Sequence, residues 1–222
     1  EGIYGENPYK SPTDIGVNMV GFCISDDEVC REASKQEIIR RYFTALNRMA
    51  NADGNESEVS KIALLFKQAG INSAYRRTTI AAREYKEQTG HTSAAIQLDD
   101  DTIITAKSSP LLGCSAALLL NTMKHLAGID HDVKLIPQSL IEPIQHTKVT
   151  YLQGHNPRLH TDEVLIALSV LSSNDDNCRN ALEQLPKLKG CQAHATVMLS
   201  EVDRKIFKKL SVGITFDPVK KV

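Results

Sequence analysis

Several things are missing from this 222-residue chain, and each absence narrows what it can be. No apolar run approaches the ~20 residues that a membrane-spanning helix needs. Neither sign of charge is in excess: 26 Lys and Arg stand against 27 Asp and Glu, a formal net charge of −1. No Lys/Arg cluster interleaved with aromatics appears, so the chain does not read as a nucleic-acid binder. The five cysteines (Cys23, Cys30, Cys114, Cys178, Cys191) are odd in number and irregularly spaced, with no C-x-x-C pair for zinc or redox chemistry. They read as reduced, buried thiols of a cytoplasmic protein, with Cys30 and Cys114 at helical core positions. The opening EGIYGENPYK has no starting Met and no signal-peptide core, and it suggests a piece of something longer.

What is present is ordinary globular material, 41% apolar and 24% charged, enough to bury a core in one large or two small domains. Residues 1–72 read as a small helical subdomain with a polar N-terminal arm. Ser25-Asp-Asp-Glu28 has the form of a capping box. The helix after it carries Val29, Ala33, Ile38, Tyr42, Leu46 and Met49 as one apolar stripe. NADGNESE breaks it, and a second amphipathic helix with Val59, Ile62, Ala63, Phe66 and Ala69 ends at Gly70. In the arm, Asn7, Tyr9, Lys10, Asp14 and Asn18 could line a cleft or tie this part to another.

Residues 73–222 change pattern. A helix through Arg77–Gln88 ends at Gly90. Ser93–Leu98 and Thr102–Ala106 alternate around Asp99-Asp100-Asp101 as a hairpin. Ser109-Pro110 offers a cap for a buried helix, LLGCSAALLLNTMKHLAG. Val133–Ile136 reads as a short strand, PQSLIEPIQ as irregular, and Lys148–Leu152 as a further strand. Thr161 caps a helix to about Leu171, and another follows at Asn174–Leu185. Ala195–Leu199 is an expected strand, Ser200-Glu-Val-Asp203 opens a helix, and Gly213–Phe216 closes the chain as a strand. Helices interspersed with strands imply a layered α/β domain.

The segment richest in chemistry is Gly154–Glu163, GHNPRLHTDE, which runs directly into VLIALSVL. It gathers two histidines, an asparagine, an arginine and two carboxylates at the start of a helix, where backbone N–H groups lack helical partners and the field favours anions. His160 and Glu163 stand at i, i+3 and share a helix face. His160 suits a general acid/base, with Glu163 to orient it. Thr161 and Asp162 read first as caps; for Arg158 and His160 a ligand-binding and a structural role are both open. His194, beside a strand of small residues, reads as a core histidine with local partners and is kept among the candidate binding residues. The acidic turn Asp99–Asp101 lacks the glycine and distant glutamate of a calcium loop.

The segments NPYKSPTDIGVNMVGF, EASKQEIIRRYF, NPRLHTDEVLIAL and AHATVMLSEVDRKI…GITFDP, in this order, resemble the bacterial family known as domain of unknown function number 1846. The likeness runs over essentially the whole chain. It implies the C-terminal part of a longer cytosolic protein, with a glycine-rich, nucleotide-binding-like part missing from the N-terminal side. It also implies a small N-terminal helical subdomain followed by a three-layer α/β/α sandwich of cytidine-deaminase-like topology. The residues oppose deaminase chemistry, which needs a His or Cys with a Glu two residues later and a P-C-x-x-C on a second helix. Here those places read Gly113-Cys114-Ser115-Ala116-Ala117 and Asn156-Pro157-Arg158-Leu159-His160-Thr161, so no zinc site assembles and no cofactor is expected.

In the implied topology the helices after Ser109 and His160 start on the same side of the sheet. Lys107, Ser108, Ser109, Asn156 and Arg158 would then face one cleft with His160, suited to phosphate or carboxylate. Two expectations follow from different classes. In the first the chain is part of a cytoplasmic enzyme acting on a phosphorylated or nucleotide-like small molecule. In the second it is a packing module that forms a homo-oligomer through the polar loop.

Overall fold

A computed structural model describes residues 27–219. The chain divides into two compact units, Glu1–Arg76 and Arg77–Val222. The capping box at Ser25, the polar arm and Cys23 lie outside the described residues.

The first unit is helical. Helix α1 (Asp27–Ala50) and helix α2 (Glu56–Ala69) pack together and are followed by a 3-10 turn at Ser73–Tyr75. The expected α1 stripe is rotated: Ile39 and Phe43 are its most deeply buried large residues, while Val29 and Met49 are exposed. Against them lie Ile62 and Phe66 of α2, with Tyr42 and Phe66 ring centroids 4.8 Å apart. Asn55 begins α2 by accepting from the Glu58 amide. Gly70 ends it at φ 64°, where a side chain would be strained, and lets Ile71 N–H reach the Phe66 carbonyl.

The second unit is a mixed α/β domain. Helix α3 (Arg77–Thr89) leads into strands β1 (Ser93–Gln97) and β2 (Ile103–Lys107), the expected hairpin. Asp100 accepts from the Thr102 amide, and Asp101 takes φ 66° at the turn. Strand β3 (Gln192–Ala195) and strand β4 (Gly213–Phe216) complete a four-stranded sheet of order β2-β1-β3-β4. β1 is antiparallel to β2 and β3, and β4 runs parallel to β3 at the edge.

Register separates the two faces of the sheet. Ala95, Thr105, His194 and Thr215 line up on one face, which α3 covers; the Ser93 hydroxyl on that face donates to the Ala82 carbonyl of α3. Ala94, Ile96, Ala193 and Ala195 point the other way into the main core. That core is filled from helix α4 (Cys114–Leu126), helix α6 (Thr161–Leu171), helix α7 (Asp176–Leu182) and helix α8 (Glu201–Lys209). Small alanines on the strands let these helices sit close, so Leu118, Leu119, Met123, Leu168 and Phe207 are almost wholly excluded from water.

Several local expectations change. Val133–Ile136 is not a strand: the Lys124 ammonium of α4 donates to the His131 and Val133 carbonyls, so these acceptors are taken by a side chain rather than a neighbouring strand. PQSLIEPIQ is a helix, α5 (Gln138–His146), with Pro143 inside it. Lys148–Leu152 belongs to a wide helical turn, Thr147–Tyr151, that continues α5. β3 begins three residues earlier than expected and ends where Thr196, opposite Ser93, still donates its amide to the Ser93 carbonyl but accepts the Ser93 amide with its hydroxyl rather than its carbonyl. The α4 helix starts at Cys114, since the Ser109 hydroxyl accepts from the Leu111 and Leu112 amides and forms a turn of its own. The described sheet establishes the mixed α/β class with flanking helices; a cytidine-deaminase-like topology does not follow from it.

Candidate functional site

The loop before α6 is held by its own side chains. Gly154 N–H donates to the Lys148 carbonyl at 2.8 Å, and a Cβ on Gly154 would meet that oxygen at 3.0 Å. The glycine therefore permits the close return of the chain. Asn156 Oδ1 accepts from the Arg158 amide at 3.3 Å. The Lys148 ammonium donates to the Arg158 carbonyl at 2.7 Å and to Glu163 Oε2 at 2.8 Å. That same Glu163 oxygen accepts the His160 amide at 2.7 Å, the reach-back half of a capping box. Loop and helix start are thus tied together by one ammonium and one carboxylate.

The start of α4 lies beside it. Leu159 N–H donates to the Leu111 carbonyl at 2.9 Å, and Gly113 N–H donates to the Leu159 carbonyl at 3.2 Å. These two bonds form a short parallel bridge and set the first turns of α4 and α6 next to each other. Gly113 at the N-cap of α4 supplies no side-chain cap. At α6 the first-turn amides are better served: Asp203 accepts from Thr161 N–H and Asp162 from Glu163 N–H.

The His160 ring is held by Asp203, 43 residues further along the chain. Nδ1 lies 3.1 Å from Asp203 Oδ2, and the Ser200 hydroxyl donates to the same oxygen at 2.7 Å. Asp203 Oδ1 accepts from Thr161 N–H at 3.0 Å and from the Thr161 hydroxyl at 3.1 Å. The Asp203 side chain is 1% exposed and that of His160 21%. Burial alone would raise the Asp203 pKa; the hydrogen bonds from His160, Ser200 and Thr161 outweigh it and bring the carboxyl down to about 2. Ser200 is not poised as a nucleophile activated by His160. Its oxygen and the carboxylate meet the same ring nitrogen, whereas a relay needs them on opposite nitrogens.

The other candidates fall in different places. Glu163 touches His160 through the main chain, and the group on the ring is Asp203. Ser109 serves its own loop. Ser108 is buried, its hydroxyl accepting from Thr92 at 2.8 Å. Lys107 is exposed at the end of β2, and Arg158 is half-buried. Among the described residues the side chains of Lys107 and Arg158 form no ion pair. His194 is fully buried on the α3 face of the sheet, the face opposite to α6. Its Nδ1 lies 2.9 Å from the Thr215 hydroxyl and its Nε2 3.4 Å from Asp217 Oδ1. Arg83 of α3 clasps Asp217 with two bonds, at 2.6 and 3.2 Å. Burial works against ionisation of Asp217, yet His194 and Arg83 together hold its pKa well below the usual carboxylate range.

The sequence signal of Ser200 and Asp203, S-x-x-D at the start of an amphipathic helix, is that of a cap. They are one: Asp203 N–H donates to Ser200 Oγ at 3.2 Å. Only the tertiary contact to His160 reveals a second use. Among the described residues, no group of three or more His, Cys, Asp or Glu side chains has the arrangement to hold a metal ion. No described helix is long and apolar enough to cross a membrane.

Comparison with known proteins bears on the whole chain. Residues 1–70 match the model "Domain of unknown function DUF1846, N-terminal" and residues 74–221 match "Domain of unknown function DUF1846, C-terminal". This corrects the expectation that the chain represents the family's C-terminal part alone, and the matches do not support reading it as a C-terminal fragment. A UPF0371 protein of Corynebacterium urealyticum is 53% identical over 98% of the chain and 44% of its own length. One from Corynebacterium aurimucosum is 54% identical over 99% of the chain and 44% of its length. A UPF0371 protein of Streptococcus thermophilus is 47% identical over 98% and 44%. The chain thus spans somewhat less than half the length of these relatives. With both domain models matched in sequence order, the chain belongs to the family of domain of unknown function DUF1846.

Proposed function

We propose that the adjoining starts of α4 and α6 form part of the active site of an enzyme acting on a phosphorylated or nucleotide-like small molecule. The observation that carries this reading is the His160 ring. It is anchored on one nitrogen by a buried carboxylate and partly exposed, in a loop pinned to the uncapped start of α4. A ring fixed in this way suits proton transfer, because little reorganisation is needed when the proton moves. Arg158 supplies a fixed positive charge suited to a phosphate, and Lys107 a second at the end of β2. The amides suited to the anion are those of Ser115 and Ala116 in α4, since carboxylates already occupy the start of α6.

Thermal melts in phosphate against chloride at equal ionic strength test this reading. A ligand at a hundredfold excess over Kd stabilises the native state by about 2.7 kcal/mol. Arg158→Ala removes the difference between the two salts. Identical melts of the parent chain in both salts contradict the reading.

One observation favours the second reading, a homo-oligomerisation module. Ile166 and Val170 on α6 are 64% and 63% exposed, and Tyr151 and Leu152 are each 71% exposed. Burying such side chains against a second copy is favourable by roughly 25 cal/mol per Å² of apolar surface. Sedimentation that depends on concentration, lost in Ile166→Glu, together with identical melts in phosphate and chloride, supports this reading over the first.

A further inference from the structure

From the hydrogen-bond inventory around Asp203 we infer that this residue positions His160 as a proton acceptor. It holds the ring in the tautomer with hydrogen on Nδ1 and leaves Nε2 with its lone pair toward the ligand. The inference rests on the proposed site and specifies what that site binds. The ligand group facing Nε2 carries a hydrogen, as a hydroxyl or an ammonium does; an unprotonated phosphate oxygen does not fit there.

An ionised carboxylate only accepts. Asp203 Oδ1 already takes Thr161 N–H and the Thr161 hydroxyl, at 3.0 and 3.1 Å. Oδ2 takes the Ser200 hydroxyl at 2.7 Å and faces His160 Nδ1 at 3.1 Å. That last contact is a hydrogen bond only if Nδ1 carries the hydrogen. Ser200 cannot reverse this, since its single proton goes to the nearer, charged oxygen rather than to Nδ1 at 3.3 Å. Its oxygen already accepts the Asp203 amide, and it offers Nδ1–H a second acceptor. With Nδ1 protonated, a neutral ring has its lone pair on Nε2. When a ligand O–H meets that atom, the O–H bond breaks as an Nε2–H bond forms and the electron pair stays on oxygen. The charged ring that results lies against the Asp203 carboxylate.

Long-range ¹H–¹⁵N correlation spectra of the whole chain at neutral pH read the tautomer directly, with His160 assigned through its missing signals in His160→Gln. The expected result is a pyrrole-type Nδ1 and a pyridine-type Nε2. In Asp203→Asn the amide keeps an oxygen for Thr161 and turns its NH₂ to the ring. His160 Nδ1 then accepts, and the hydrogen moves to Nε2. Ser200→Ala leaves the parent tautomer in place. A parent spectrum with the hydrogen on Nε2 overturns the inference, and that spectrum decides even if Asp203→Asn fails to fold. An unchanged tautomer in folded Asp203→Asn also overturns it and leaves Asp203 a purely structural bolt. The tautomer is read without phosphate, so failure here is distinct from failure of the anion-binding reading.

Discussion

His160 and Asp203 stand 43 residues apart in sequence and 3.1 Å apart in space, ring nitrogen to carboxylate oxygen. The contact joins the first turn of α6 to the first turn of α8. It ties the most chemically loaded loop of the chain to a buried negative charge.

Removing that charge costs stability. Asp203→Ala leaves the Thr161 amide and hydroxyl, the Ser200 hydroxyl and the His160 ring without their acceptor, a loss of about 3 kcal/mol. Urea denaturation should show a lower midpoint with an unchanged slope.

The same carboxylate fixes the sign of an acid dependence. Its pKa is near 3.9 in an unfolded chain and about 2 in the fold. Its contribution, on the order of 2 kcal/mol, is therefore present above about pH 4 and is lost as pH falls through about 2. Asp217, also held low, acts in the same direction. Stability measured by urea midpoint from pH 5 to pH 2 should fall steeply in the parent chain, and the slope should be shallower in Asp203→Asn and in Asp217→Asn.

His194 offers a contrast between structure and binding. Its ring is fully buried between β4 and the Asp217–Arg83 pair, so His194→Ala opens a cavity and leaves polar partners unmet. A cost of about 2–3 kcal/mol is expected. Because the residue lies across the sheet from α6, the phosphate-induced rise in melting temperature should be the same as in the parent chain.

Lys148 is the clamp of the loop. Lys148→Met breaks the bonds to Glu163 and to the Arg158 carbonyl, and because the Lys148 and Glu163 side chains are only 14% and 23% exposed the lost counter-charge costs about 2 kcal/mol. The clearer effect is local. Amide exchange at Arg158 and His160 should speed up while the β1 and β3 amides remain protected.

The legible parts of this chain were those governed by local rules. The Asp99–Asp101 hairpin, the Gly70 helix stop and the edge strand at Gly213–Phe216 each follow from turn residues, caps and alternation, and the α6 helix from its apolar run, although His160 rather than the expected Thr161 stands at its cap. Where the structure departs from those rules, distant partners are the cause. Val133–Ile136 has the composition of a strand, but Lys124 occupies the Val133 carbonyl and the Cys178 thiol the Leu135 carbonyl. Ser109-Pro110 has the form of a helix start, but Leu159 draws the next residues into a bridge and delays α4 to Cys114. The loop before α6 could be picked out because its residue types are unusual for a linker. The role of Asp203 could not, because S-x-x-D reads as a cap and its second partner is 43 residues away.

Amide correlation spectra during titration with inorganic phosphate, at constant ionic strength, test whether the paired starts of α4 and α6 bind an anion. Saturable shifts are expected, concentrated at Gly113–Ala116 and at Arg158–Thr161, where α4 and α6 begin side by side, and lost in Arg158→Ala. Shifts that do not saturate, or that saturate only on other elements of the fold, would contradict anion binding there.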